Sequence, residues 1–135
     1  MCESVFLGCW KLVKNDNDNF DKYMEGIGVS MITRKAAGTL KPDVIISCND
    51  GVWTVRTEST FKKSEFSFKL GEEFDEETPD GRKTKTIVTL ENGVLCQTQK
   101  WDDKETKITR EVKDSELIAT CIFEDVKCVR VYEKK

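Results

Sequence analysis

The sequence contains no histidine. That absence removes Ser-His and Cys-His nucleophilic catalysis, together with the common histidine-containing zinc sites. Six cysteines are present (Cys2, Cys9, Cys48, Cys96, Cys121 and Cys128), but none form a Cys-x-x-Cys pair. Their spacing argues against a structural zinc, and no metal or cofactor is expected. No apolar run approaches the ~18–20 residues of a membrane-spanning helix. The opening MCESVFLGCW lacks the basic start and long apolar stretch of a secretory signal. A cytoplasmic protein is the expectation, with all six cysteines reduced. An excess of positive charge is missing too. The net charge is −3 with acids and bases interleaved, which argues against nonspecific nucleic-acid binding. Carboxylate or cysteine chemistry stays formally open, but nothing activates a nucleophile, so no enzyme is expected.

At 135 residues the chain is long enough to bury a core as one domain, 1–135, without disulfides or a metal. What it contains is mostly strand and turn. Short alternating runs such as DVIISC, VWTVRTES, FSFKL, KTIVTL and VLCQTQKW recur along the chain. The connectors between runs are tight-turn residues, with Asn-Gly and Asp-Gly the strongest hairpin signals. Roughly ten strands spaced about 8–12 residues apart imply a sandwich or an up-and-down barrel. One region departs from this. Phe20, Tyr23, Met24 and Ile27 fall at i, i+3, i+4 and i+7, a helical stripe. Ser30 can cap a second short helix, MITRKAA, that stops at Gly38. A helix pair inserted once into a meander cannot be a layer of the sheet and is better placed as a cap on an opening.

The final run, CVRVYEKK, alternates Val129 and Val131 with Cys128, Arg130 and Tyr132. The usual rule turns the valines inward and the arginine to water.

Over essentially its whole length the chain resembles the intracellular fatty-acid-binding protein family within the lipocalin-like group. It is most similar to the heart, adipocyte, myelin and epidermal subgroup. The likeness rests on FLGCWKL, NFDKYMEGIGV, TRKAAG, the long stretch from TESTF to LENG, WDDKETKITREV and the closing CVRVYEKK, in that order. It implies an all-β, ten-stranded antiparallel barrel capped by two helices around a cavity for one long-chain lipid. It also reverses the reading of the last strand, because the family's Arg-x-Tyr pair points into the cavity. The implied carboxylate site is Arg110, Arg130 and Tyr132. The implied tail channel is lined by Phe20, Tyr23, Met24, Phe61, Ile108, Ala119 and Cys121, with Asp80, Arg82 and Gln99 holding internal water. Without the resemblance, the apolar residues could be plain core, Asp80 and Arg82 a solvated turn, and Arg110 an outward charge.

The resemblance further implies a portal between the second helix and the turns carrying Phe61 and Asp80. Arg34, Lys35, Lys62 and Lys63 would give it a basic face for transient contact with anionic membranes, against the alternative of a merely solvated helix face. Some family members bring cysteines placed like Cys121 and Cys128 close enough to bond, but a reducing cytosol favours two thiols. Three departures stand out. The connection between Trp10 and Phe20 is about two residues longer than is usual, which suits an enlarged turn. Glu25 stands where several members carry a lysine, and Trp53 replaces a usual aliphatic. The expected function is a non-enzymatic, monomeric carrier of a long-chain fatty acid. Retinoic acid or another hydrophobic carboxylate is the alternative ligand, and membrane bridging is the alternative role.

Overall fold

A computed structural model describes residues 4–60, 63–78 and 80–135. A short turn of 3-10 helix at Ser4–Phe6 leads into β1 (Gly8–Asn15), followed by helices α1 (Asn17–Gly26) and α2 (Met31–Thr39). The remaining strands are β2 (Asp43–Asn49), β3 (Val52–Glu58), β4 (Lys63–Phe68), β5 (Phe74–Glu77) and β6 (Lys83–Glu91). They are completed by β7 (Val94–Trp101), β8 (Lys104–Lys113), β9 (Glu116–Phe123) and β10 (Val126–Lys134). All ten strands belong to one sheet in the order β4-β3-β2-β1-β10-β9-β8-β7-β6-β5. The last strand returns to pair antiparallel with the first, with Trp10 opposite Lys134. The result is the expected barrel, nearly closed, with its helix pair between β1 and β2.

Alternation builds the wall. In β7, Leu95, Gln97 and Gln99 are buried while Lys100 is exposed, and in β9 Leu117, Ala119 and Cys121 face inward. Turn chemistry sets the hairpins. Asn92 and Gly93 both take positive φ (52° and 80°), the two-residue geometry that matches strand twist and that Asn-Gly favours.

The barrel does not close by hydrogen bonds everywhere. β4 and β5 stand at the two ends of the strand order with no ladder between them. The loop after β4 partly bridges the gap, since the Gly71 amide donates to the Val88 carbonyl of β6 at 2.8 Å. Aromatic side chains supply the rest. Phe66 and Phe68 of β4 and Phe74 of β5 stack on one another with centroids 5.8–5.9 Å apart. Trp53 extends the stack over Phe68 at 6.1 Å and meets Phe6 edge-on at 6.2 Å. The bulky residue at position 53 therefore helps to seal the closed end, where Phe6 and Trp53 have no exposed surface.

The polar stretch before Phe20 is not an enlarged turn. β1 runs to Asn15 and α1 starts at Asn17, so only Asp16 lies between them. Asp16 is the N-cap, its carboxylate accepting the Asn19 amide at 3.3 Å, which satisfies one of the orphan donors at a helix start. One further residue is absorbed upstream, where the β1–β10 register shifts between Leu12 and Lys14 in a bulge. The second helix is capped by Ser30 as expected, its hydroxyl accepting the Thr33 amide at 3.4 Å. That helix passes through Gly38 and ends at Thr39. Reduced thiols are found at Cys9, Cys96, Cys121 and Cys128, whereas Cys48 is disulfide-bonded. The expectation of six reduced cysteines therefore fails at that position.

Phe68→Ala should lower unfolding stability by about 3–5 kcal/mol, the range for a buried aromatic truncated in a core. Ile87→Ala, on the outer face of β6 (36% exposed), should change it far less. Urea unfolding followed by circular dichroism measures both, and equal losses would remove the aromatic stack from its sealing role.

Candidate functional site

Three neighbouring strands create the centre of the site. Arg110 of β8 and Arg130 of β10 both lie opposite Ala119 of β9. Residues directly opposite in a sheet share a face, so two guanidiniums emerge on the same row and flank a single methyl. Ala119 is 5% exposed and both arginines line the cavity within the barrel. The inward face of β10 is thus Cys128, Arg130 and Tyr132, while Val129 is 37% exposed on the outer face. Cavity volume is about 420 Å³, within the range of roughly 300–1,000 Å³ typical of small-molecule pockets.

Each arginine is held differently. The Arg110 Nη1 donates to the Gln97 Oε1 at 2.6 Å. The Arg130 guanidinium lies 4.1 Å from the centre of the Phe20 ring on α1 and 6.0 Å from that of Tyr132. Its Nε is buried and has no hydrogen-bond partner among the described residues. A charged donor left without an acceptor in an interior is costly, so this end of the cavity favours an anion. Tyr132, 4% exposed, also lines it.

A second polar group sits where β5 turns into β6. Arg82 grips Asp80 through two bonds, Nε to Oδ2 at 2.6 Å and Nη2 to Oδ1 at 3.0 Å, and its Nη1 reaches the Gln99 Oε1 at 3.3 Å. The Thr78 hydroxyl adds a 2.8 Å bond to Asp80, and Arg82 stacks on Trp101 with its Cζ 4.5 Å from the ring centre. These residues face the cavity rather than forming a solvated turn. Burial raises the Asp80 pKa, but the Arg82 bond and charge and the Thr78 hydroxyl outweigh it, holding the carboxyl below its ordinary value.

The cap closes over this interior through its apolar stripe. Phe20, Tyr23, Met24 and Ile27 are all buried and all line the cavity, so they serve as core and lining at once. The Tyr23 hydroxyl meets the Thr106 Oγ1 at 2.7 Å, and burial, followed by the nearby Cys121, holds the phenol well above its usual range. Ile108 and Cys121 complete the tail-channel residues that the structure places on the wall. Phe61 lies outside the described residues, as does Lys62. Cys121 and Cys128 face each other across β9 and β10 as two thiols. Burial, then the neighbouring Cys121, pushes the Cys128 thiol up to about 12, and burial raises Cys121 as well.

Three of the four basic residues expected at a portal lie among the described residues. Lys35 and Lys63 are exposed, but the Arg34 side chain is only 12% exposed and is bound to Asp21 at 3.0 Å and Glu25 at 3.6 Å. Its Nη1 also donates to the Val29 carbonyl at 2.8 Å. Arg34 therefore ties α2 to α1. Glu25, the acidic residue standing where the family often has lysine, is one of its anchors.

Sequence reasoning missed Glu76, Gln97, Thr84 and Thr86, all at or below 4% exposure. The Glu76 Oε1 accepts the Thr86 hydroxyl at 2.9 Å, the Gln97 amide at 2.9 Å and the Gln99 amide at 3.0 Å. The run FDEETPDG reads as a solvated acidic turn, yet a two-residue period from Phe74 carries Glu76 and Thr78 inward. That periodicity was the available signal.

Residues 7–135 match the lipocalin / cytosolic fatty-acid binding protein family model. The adipocyte fatty acid-binding protein of Pygoscelis papua is 53% identical over 134 residues, covering 99% of both chains. The solved Echinococcus granulosus fatty-acid-binding protein 1 superposes with a TM-score of 0.93 at 45% identity, covering 98% of each chain. A Schistosoma mansoni fatty acid binding protein, solved in complex with arachidonic acid, gives 0.92 at 41% identity over 98% of this chain and 97% of that one.

Asp80→Asn should lower the melting temperature at neutral pH. A carboxyl whose pKa is depressed by folding contributes stability above its unfolded value and loses it as pH falls through the folded one. The gap between wild type and variant should therefore shrink in acid, below the ordinary aspartate range. Thermal unfolding across pH measures it, and a gap independent of pH would reassign the effect to packing. A second variant, Arg34→Ala, should accelerate ligand release while leaving the hydrogen-bonded barrel intact, as stopped-flow displacement and far-ultraviolet dichroism would record.

Proposed function

This chain belongs to the lipocalin / cytosolic fatty-acid binding protein family, and we propose that it is a carrier binding one long-chain fatty acid inside the barrel. In this reading the carboxylate sits between Arg110 and Arg130 and the Tyr132 hydroxyl donates to it. The observation that carries the reading is the shared row of two guanidiniums across Ala119, one with a buried and unpartnered Nε. A carboxylate is the acceptor that geometry suits, since it can take two parallel N–H bonds.

The acyl chain supplies most of the affinity. About fifteen methylenes at ~0.8 kcal/mol each offer on the order of 12 kcal/mol before ordering costs. Phe20, Met24, Ile108 and Cys121 are the apolar wall it would lie against.

The carrier is proposed to be non-enzymatic. Histidine is absent, and burial holds the Cys121 and Cys128 thiols protonated, which leaves them poor nucleophiles. It is proposed to act in the cytoplasm as a monomer. β4 and β5, the two strands left without a mutual ladder, are short and carry exposed charges at Lys63, Glu65, Asp75 and Glu77, features that discourage edge-to-edge pairing. Transient membrane contact is proposed at α2, where Met31 and Ile32 are 59% and 84% exposed beside Lys35. Each lysine adds only about 1 kcal/mol near an anionic surface, so the contact is weak and reversible.

Calorimetric titration of saturated fatty acids of increasing length tests the reading. Wild type should bind one equivalent, with affinity rising with each methylene. Arg130→Ala should lose about 1.5–3 kcal/mol, the worth of a hydrogen bond to a charged group, while keeping the same slope with chain length. Equal binding by both proteins would place the head group elsewhere.

A further inference from the structure

The cavity wall carries more charge than one head group requires. Among the described residues, three arginines and two acidic side chains face it: Arg82, Arg110, Arg130, Asp80 and Glu76. Tyr23 and Cys121 also face it, and burial keeps both in their neutral forms. Asp80 and Arg82 cancel through their two-point contact. Glu76 makes no ion pair with any arginine among the described residues, and three donors converge on one of its oxygens, which suits an acceptor-only carboxylate.

The glutamines carry that charge further. An amide has one donating and one accepting end. Glu76 draws the NH₂ ends of both Gln97 and Gln99 onto itself, so each carbonyl is turned away from it. Those carbonyls meet the arginines, Gln97 accepting from Arg110 and Gln99 from Arg82. Glu76 thus stands behind two oriented amide dipoles, each with its negative end at a guanidinium. Among the described lining residues, three guanidiniums stand against two carboxylates, an excess of one positive charge.

We propose that Glu76 is a positioning and specificity-determining residue: it orients Arg110 through Gln97 and restricts the head-group site to a ligand carrying a single negative charge. The inference rests on the carrier reading above. A carboxylate neutralises the interior, whereas a head group with two negative charges leaves an excess inside low-dielectric walls, where repulsion is costly. An acyl chain of fixed length bearing either a carboxylate or a phosphate monoester isolates the effect, because the phosphate carries up to two charges.

Hexadecanoate and hexadecyl phosphate should be titrated calorimetrically, under mildly alkaline conditions and in two buffers of different ionisation enthalpy. Wild type should prefer hexadecanoate and should take up about one proton for each phosphate bound, since it accepts the monoanion. Glu76→Gln, close to isosteric, should move the preference toward the phosphate by roughly tenfold and abolish the proton uptake. Glu76→Asp, which keeps the charge, should retain the wild-type preference. A merely structural role would weaken both ligands together and leave their ratio unchanged. An unmoved ratio in Glu76→Gln, or no proton uptake by wild type, overturns the proposal. If wild type fails to bind hexadecanoate, or binds it regardless of Arg130, the carrier reading falls first and this inference with it.

Discussion

Two guanidiniums placed side by side inside a barrel are the constraint on which the rest of the structure depends. Their charge cannot be neutralised by losing a proton, so the interior must supply polarity, room and a counter-charge. Ala119 leaves the room between them. Gln97 gives Arg110 its acceptor at 2.6 Å, and the Phe20 ring gives Arg130 a face to stack on at 4.1 Å. A packed apolar core in the same place would leave both charges desolvated and repelling one another, which is why this barrel has a cavity at its centre.

That demand divides the barrel into two ends of different chemistry. At one end Phe6, Trp10, Ile46, Trp53 and Leu117 pack to 2% exposure or less, and the aromatic stack closes the break between β4 and β5. They belong to one of the two apolar clusters whose burial stabilises the fold, the other lying beneath the helices. Along the middle, β5, β6 and β7 turn Glu76, Thr84, Thr86, Gln97 and Gln99 inward, where apolar residues would give more stability. Both glutamine amides and the Glu76 Oε1 are hydrogen-bonded within the protein, so the polar wall costs less than its composition suggests. The protein gives up part of a core to keep an ordered, charged chamber.

Much of the architecture was legible in the sequence. Period-two runs and Asn-Gly turns mark strands because they obey local rules, and the helical stripe from Phe20 to Ile27 is equally local. The direction in which a strand faces is not local. For CVRVYEKK, alternation offers two answers and hydrophobicity picks the wrong one; only the resemblance chose correctly. Glu76 shows the same limit, because its inward position is set by Phe74 and by partners on β6 and β7 that are distant in sequence. Asp16 fails in the other direction: a local cap was present, but a dense run of Asn and Asp suits a turn just as well. The β4–β5 gap is invisible in sequence, since FSFKL reads as an ordinary strand, FDEETPDG as a solvated turn, and nothing local in either marks a missing ladder.

Arg34 holds the two helices of the cap together. A cavity beneath a helix pair needs a cover that opens before anything can enter, and a cover made only of exposed charges would have little to hold it shut. Here the α2 guanidinium is drawn back across α1 by Asp21, Glu25 and the Val29 carbonyl. This removes one positive charge from the outer face and spends it on holding the helices together. The Phe20, Tyr23, Met24 and Ile27 stripe then bears directly on the cavity, with the Phe20 ring packed against the Arg130 guanidinium. The same ring therefore packs the cap and screens Arg130, so α1 cannot move without altering the environment of that charge. An anion at Arg130 would act on the position of the cap, and the cap on the exposure of the anion, through one aromatic face.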